Sequence, residues 1–188
     1  MISRELSKKI KDELEIISLI FFEFQIKSGL TCPAGCGQCC FNSEISCAPY
    51  ELLPLAFHLL ETNKAEDFLI SNCSPKRIGC PLLIITDEEK GLGKCLEYEH
   101  RPFLCRAFGV AARLGKKGET NLSVCKVLKN KSQYLELENL MLEIPFIDEW
   151  KKKFESLDPN LMERELPISE ALVVILEKVL LWDKYQQN

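Results

Sequence analysis

The stretch TCPAGCGQCC, residues 31–40, contains four cysteines, and two of them are adjacent. Cys36, Cys39 and Cys40 are related by i, i+3 and i+4 spacing, and Cys32 lies four positions before Cys36. If the chain is helical or nearly so here, this spacing puts the sulfurs on one face, within reach of a common ion or inorganic cluster. The spacing therefore fits metal chelation.

The surroundings of these cysteines support the same chemistry. Gly35 and Gly37 let the backbone come close to a cluster and bend around it. Thiolates at the start of a helix also gain from the helix dipole, which favours their deprotonated form. The side chains of Cys39 and Cys40 diverge because the residues are neighbours, so the pair favours a polynuclear centre or two neighbouring sites. A vicinal disulfide is the strained alternative.

Four more cysteines occupy positions that offer ligand geometry farther along the chain. Cys80 precedes a predicted strand, Cys95 follows a glycine-containing turn, Cys105 lies in RPFLCR, and Cys125 precedes a predicted helix. Eight thiolates would satisfy two four-coordinate zinc ions, or one iron–sulfur cluster with ligands to spare. The candidate metal ligands are Cys32, Cys36, Cys39, Cys40, Cys80, Cys95, Cys105 and Cys125.

Composition sets the context for these thiols. The chain has 188 residues, of which 46% are hydrophobic and 28% charged, which predicts a single domain over residues 1–188. A net charge of −4 argues against nucleic-acid binding. The sequence shows no targeting or membrane-spanning segment, which predicts a cytoplasmic protein without membrane contact. In a reducing compartment, clustered thiols are metal ligands or redox groups more often than disulfides.

Apolar periodicity and turn residues predict the elements that position the cysteines. The fold class is mainly α, with helices flanking a cysteine-rich metal centre that includes a small β-hairpin. We expect an N-terminal helical part at 1–30, a cysteine-cluster core at 31–126 and C-terminal helices at 127–188. The predicted helices cover residues 3–27, 48–63 with a kink or restart at Pro54, 64–70, a short turn from Pro102, 124–142, 145–156 and 168–185, and the hairpin follows Cys80.

The segments CPAGCGQCC and CPLL…GKCLEYEHRPFLCRAFG together resemble the CxxCxxCC family, described as zinc- or iron-chelating domains. The resemblance covers residues 32–125, with Cys32 and Cys125 at less uniform flanking positions. One branch that resembles the family, the flagellin lysine methylases, is associated with an iron–sulfur centre. The positions that match the family pattern are Cys36, Cys39, Cys40, Cys80, Cys95, Arg101, Pro102, Cys105 and Arg106.

Several other residues near the cysteines have two interpretations. Basic residues can offset the charge of a thiolate centre or form a solvated face, and Arg101 and Arg106 favour the first role because they flank Cys105. Lys94 and Arg113 are the further basic candidates. His58 falls on the apolar face of its predicted helix and is expected in the core, whereas His100 could replace a missing ligand. Cys47 and Cys73 lie outside the pattern and are expected to be free thiols.

Two functions remain open on this basis. The first is a metal-binding protein that chelates zinc or iron through clustered thiolates, with the metal structural, sequestered or delivered. The second is an iron–sulfur enzyme that performs redox or methyl-transfer chemistry on a protein partner. Metal ions are the expected partners in both cases.

Overall fold

The computed structural model of the protein describes residues 2–72, 79–158 and 164–186. Its longest element is α1 (Arg4–Ser28), preceded by Ser3, whose hydroxyl accepts a hydrogen bond from the Leu6 backbone N–H. The helix ends at Gly29, where φ is 68°, a left-handed conformation that glycine adopts at little cost. The predicted first helix is therefore confirmed, together with its end near Gly29.

Proline residues divide the next helical region. A 3₁₀ helix (Pro49–Leu52) leads into α2 (Leu53–Glu61), and α3 (Ala65–Asn72) follows. Pro54 lies in the first turn of α2, where its missing N–H removes no helical hydrogen bond. The restart predicted around Pro54 is confirmed.

Most of the core is formed where helices meet along their apolar faces. The described residues also form α4 (Phe103–Ala107), α5 (Lys126–Lys129), α6 (Ile147–Leu157) and α7 (Ile168–Gln186). Helix α1 packs against α2, α4 and α6, while α7 packs against α2 and α3. Since apolar residues recur on α1 at nearly helical spacing, one face of it is fully covered. The residues of α1 that are almost inaccessible are Ile10, Leu14, Ile17 and Phe21.

Within the described ranges, three two-stranded antiparallel sheets connect these helices. A short sheet pairs β1 (Ser46–Cys47) with β6 (Leu166–Pro167). The hairpin predicted after Cys80 is present as β2 (Leu83–Asp87) and β3 (Leu92–Cys95), with Leu83 opposite Cys95. A second hairpin, β4 (Val110–Leu114) and β5 (Thr120–Val124), was not predicted from the sequence.

The helix predicted over 124–142 is wrong. The chain is a strand up to Val124, passes through the single-turn α5, and then forms a 3₁₀ helix (Ser132–Glu143). A second apolar cluster explains the difference, because Leu128 and Leu137 pack with Phe24 of α1 and with β4. Tertiary packing of these few side chains outweighs the local helical pattern, which is a weak determinant by itself.

A buried carboxylate holds α4 against the 3₁₀ helix. Glu51 Oε1 accepts a hydrogen bond from the Ala48 N–H at 3.0 Å, and its Oε2 accepts one from the Phe103 N–H at 2.8 Å. Burial raises the pKa of the Glu51 carboxyl to about 7, although the two donors oppose the shift. The contact fixes the first residue of α4, the helix that carries Cys105.

The architecture confirms the predicted class: it is mainly helical, and its sheets have only two antiparallel strands each. The described part of the chain contains no helix with both the length and the apolar character needed to cross a membrane.

Candidate metal centre

The cysteine-rich stretch at 31–41, called here the cysteine loop, is held against the β2–β3 hairpin by backbone hydrogen bonds. The Gly37 N–H donates to the Gly91 carbonyl at 3.2 Å, and the Gly93 N–H donates to the Gly35 carbonyl at 3.0 Å. Between these bonds, Cys36 forms an isolated antiparallel bridge with Leu92. The hairpin therefore fixes the part of the loop from which Cys36 and Cys39 project.

The close approach of the two backbones depends on Gly37. A Cβ atom at this position would lie 2.9 Å from the Gly93 nitrogen and 3.2 Å from its Cα. Replacing Gly37 by alanine at an unstrained position would normally stabilise a protein by about 0.4–1 kcal/mol. Here we expect the opposite, a loss of about 2 kcal/mol, because the two backbone hydrogen bonds must lengthen. Chemical denaturation measures the change, and metal content should fall with it.

The matched control for this prediction is Gly118→Ala in the β4–β5 turn. Gly118 has a φ of 82° and no atom within 4 Å of a built Cβ, so alanine there causes backbone strain but no clash. It should leave metal content unchanged. A Gly37→Ala variant that is more stable than the parent would show that the loop does not pack as described.

All eight cysteines predicted as ligands line one cavity of about 590 Å³. The cavity also receives Leu19 and Phe22 of α1, which the sequence analysis did not connect with the site. Cys47 is free and buried, as expected, and does not line the cavity. Cys73 lies outside the described residues. The structure thus brings together thiols from the cysteine loop, the first hairpin, α4 and the start of α5.

Local structure explains how the four downstream cysteines reach the cavity. The β2–β3 register sets Cys95 opposite Leu83, and the Cys80 N–H donates to the Cys40 carbonyl at 2.7 Å. Cys105 lies on α4. Cys125 is the N-cap of α5, and its N–H donates to the Gly109 carbonyl at 2.8 Å.

The spacing of the sulfurs is wider than in a single closed zinc site. Zinc–sulfur bonds of about 2.3 Å at the tetrahedral angle would put the sulfurs about 3.8 Å apart. Cys39 and Cys40 meet that value, with their sulfurs 3.8 Å apart. Within the described ranges, however, no three cysteine sulfurs lie within 4.8 Å of one another. No disulfide joins Cys39 to Cys40, so the vicinal disulfide is not present.

The thiols influence one another electrostatically. A hydrogen bond with Cys40 and burial raise the pKa of the Cys39 thiol well above its ordinary value. Burial, followed by the charge of Cys80, does the same at Cys105. Burial and the nearby Cys125 raise the pKa of Cys32. Because each thiolate disfavours the next, a cation is needed to hold them deprotonated together.

Arg101 supplies part of that positive charge. Its guanidinium lowers the pKa of four cavity thiols against the effect of burial: Cys32, Cys39, Cys95 and Cys105. The side chain is fixed by hydrogen bonds to the carbonyls of Tyr98 at 3.0 Å and Cys105 at 3.1 Å. The guanidinium carbon also lies 3.5 Å from the centre of the Tyr98 ring. The arrangement suits a counter-charge for a thiolate centre.

The other basic candidates have different positions. Arg106 lines the cavity but is buried, and its guanidinium is occupied by backbone carbonyls and by Ser18. Lys94 is an exposed residue at the edge of the cavity, whereas Arg113 is an exposed residue of β4 that does not line it. Only Arg101 combines access to the thiols with a fixed geometry among these four.

The expectation that His58 is a packed core residue is wrong. Its side chain is 35% exposed and lies 3.5 Å from a carboxylate oxygen of Glu97. The His58 ring also stacks on that of His100. Neither histidine lines the cysteine cavity, so His100 is not placed to replace a missing thiolate there.

Comparison with known proteins agrees with the donor set. No curated protein and no solved structure matches the chain. A family model does match residues 31–138, more than half of the chain, and it includes all eight cavity cysteines. The family is described as "Putative zinc- or iron-chelating domain". The protein belongs to the CxxCxxCC family of metal-chelating domains.

Proposed function

We propose that the protein binds zinc or iron in a polynuclear centre held by Cys32, Cys36, Cys39, Cys40, Cys80, Cys95, Cys105 and Cys125. The observation that carries the proposal is the convergence of these eight thiols on one cavity. Thiolate sulfur is the preferred ligand of zinc and of iron–sulfur clusters, and eight ligands exceed the four that one tetrahedral ion takes. More than one metal atom per chain is therefore expected.

The width of the cavity supports a polynuclear centre. Thiolates that bind different metal atoms stand farther apart than the ligands of one ion. This fits a cavity of about 590 Å³ in which no three of the described cysteine sulfurs lie within 4.8 Å of one another. Cys39 and Cys40 meet the sulfur spacing of one tetrahedral ion, so the adjacent pair can share one metal atom while more distant thiols bind another.

Charge compensation supports the same proposal. Burial and neighbouring thiols raise the pKa of Cys32, Cys39 and Cys105, so these thiols hold their protons when no metal is bound. Binding zinc or iron releases those protons, and Arg101 offsets part of the remaining negative charge. A reducing compartment such as the cytoplasm would keep the thiols available for metal.

The test is anaerobic purification followed by metal analysis, sulfide analysis and a visible spectrum on one sample. We expect at least two zinc or iron atoms per chain. Removing them with a chelator should lower the free energy of unfolding, because metal that binds only the folded chain stabilises it by mass action. A protein that takes up one metal atom or none under reducing conditions contradicts the proposal.

The same sample separates the two chemical versions of the centre. Colourless protein with zinc identifies a structural or metal-handling role without redox chemistry. Iron with matching acid-labile sulfide and a broad visible absorption identifies an iron–sulfur centre, and a search for redox or methyl-transfer activity on a protein would follow.

A further inference from the structure

The only two histidines of the chain meet outside the cysteine cavity. His58 lies on α2, and His100 ends a short 3₁₀ turn (Tyr98–His100) after the first hairpin. Their rings are stacked, with centroids 4.3 Å apart and planes 19° from parallel. Two imidazoles from separate elements are thus held side by side.

A buried carboxylate completes the group. Glu97 Oε2 lies 3.5 Å from His58 Nε2 and 3.4 Å from His100 Nδ1, and the Glu97 side chain is 10% exposed. One ligand atom from each residue lies within 4.8 Å of the other two. Metal bonds of about 2.1 Å at the tetrahedral angle place nitrogen and oxygen ligands about 3.4 Å apart. The two distances to Glu97 therefore match two edges of a metal coordination sphere. Because the rings are stacked, one imidazole must rotate for both lone pairs to point at the same ion.

His100 Nδ1 provides an independent observation. The atom is buried and has no hydrogen-bond partner, although buried polar atoms normally have one. The imidazole nitrogen is the commonest side-chain metal ligand. A metal ion between this atom and Glu97 Oε2, which lies 3.4 Å away, would be bound by both.

We propose that His58, Glu97 and His100 form a second metal site that binds one divalent transition-metal ion, with zinc as the reference ion. The site differs in chemistry from the cysteine cavity, because its ligands are two nitrogens and one oxygen. Such a set suits zinc or ferrous iron, and three protein ligands leave a position for water or another ligand. The partly exposed ring of His58 gives the ion access from solvent.

The segment between the first hairpin and α4 serves both centres. Cys95 and Arg101 line the cysteine cavity, whereas Glu97 and His100 do not line it and lie instead beside His58 of α2. The two sites are thus adjacent in sequence but have separate ligands. Loss of one site by substitution should leave the metal content of the other intact.

The test is a zinc titration of the anaerobically purified holoprotein, followed by NMR of the imidazole rings. With two histidines in the chain, the signals are directly assignable. We expect one zinc ion per chain beyond those in the cysteine centre. Both rings should respond at that single equivalent, with His58 bound through Nε2 and His100 through Nδ1. Absence of an additional equivalent, or a response of neither ring, overturns the proposal.

Variants provide the second arm of the test. His58→Gln, His100→Gln and Glu97→Gln should each weaken the additional zinc equivalent at least tenfold while the metal in the cysteine centre stays constant. Glu88→Gln removes one exposed carboxylate from the turn of the first hairpin and should bind zinc like the parent. Equal affinity of the parent and the three site variants overturns the proposal. If a variant fails to fold, the response of the two imidazole rings of the parent to zinc decides whether the site binds the ion.

Failure of the proposed histidine site can be distinguished experimentally from failure of the proposed cysteine centre. Failure of the cysteine centre would appear as low metal content in the purified protein and in variants of the cavity thiols. Failure of the histidine site would appear as a holoprotein with a filled cysteine centre that takes up no further ion.

Discussion

Replacing Cys39 by serine is expected to remove most of the bound metal and to lower the free energy of unfolding measured with metal present. The Cys39 sulfur lies 3.8 Å from that of Cys40, and its charge also acts on the thiols of Cys32, Cys95 and Cys105. This central position means that its loss disturbs most of the ligand set. Serine offers a harder oxygen that zinc and iron–sulfur clusters bind less well.

The expected change in the free energy of unfolding follows from the linkage between metal binding and folding. Changes beside a metal ligand typically cost about 10- to 100-fold in affinity, and loss of the ligand itself should cost more. At a free metal concentration about 100 times the dissociation constant, abolished binding removes about 2.7 kcal/mol of stabilisation. Denaturation with and without chelator measures this stabilisation. The difference in the free energy of unfolding between the parent and Cys39→Ser should shrink when metal is absent.

Cys47→Ser is the matched control. Cys47 is 1% exposed, packs in the main apolar core and does not line the cavity. Placing a hydroxyl there should cost about 1–3 kcal/mol, because the new polar group has no evident partner. The number of metal atoms per chain should not change. Equal metal loss in both variants would mean that metal content follows general stability, and Cys39 would then have no special role.

Local sequence was sufficient to predict that cysteines within the cysteine loop, and those at the two ends of the first hairpin, lie close together. The spacing of Cys36, Cys39 and Cys40 keeps them within a few residues of one another, and a hairpin necessarily joins the regions around Cys80 and Cys95. The helical segments were predictable for a similar reason, because α1 has an uninterrupted apolar face with a serine cap and a terminal glycine.

Contacts between distant segments were not predictable. Nothing in the sequence indicates that His58 of α2 meets Glu97 and His100, since the pairing depends on how α2 packs beside the segment that follows β3. The error at 124–142 has the same origin. Leu128 and Leu137 fit a helical pattern, but their positions are set by Phe24 and β4 rather than by helix propensity.

Replacing Arg106 by methionine is expected to lower the free energy of unfolding by about 2–5 kcal/mol. Arg106 is 8% exposed, and its guanidinium joins α1 to the segment before α4. Its Nε donates to the Arg101 carbonyl at 2.7 Å, Nη1 donates to Ser18 Oγ at 2.7 Å, and Nη2 donates to the Glu99 carbonyl. Methionine can fill the space but leaves these partly buried acceptors without their donor, and each lost hydrogen bond costs about 0.5–1.5 kcal/mol.

Arg106→Met should also lower the metal content, because the Arg101 carbonyl is one of the acceptors and the Arg101 guanidinium faces the thiols. Arg106→Lys keeps the charge, yet one ammonium cannot reproduce a planar fork directed at four acceptors, so its effect should be intermediate. Arg113→Met on the exposed face of β4 is the control and should change stability by less than about 0.5 kcal/mol. Urea denaturation and metal analysis test the series. If Arg106→Met matched Arg113→Met in both, the buried guanidinium could not be what holds α1 against the metal-binding segment.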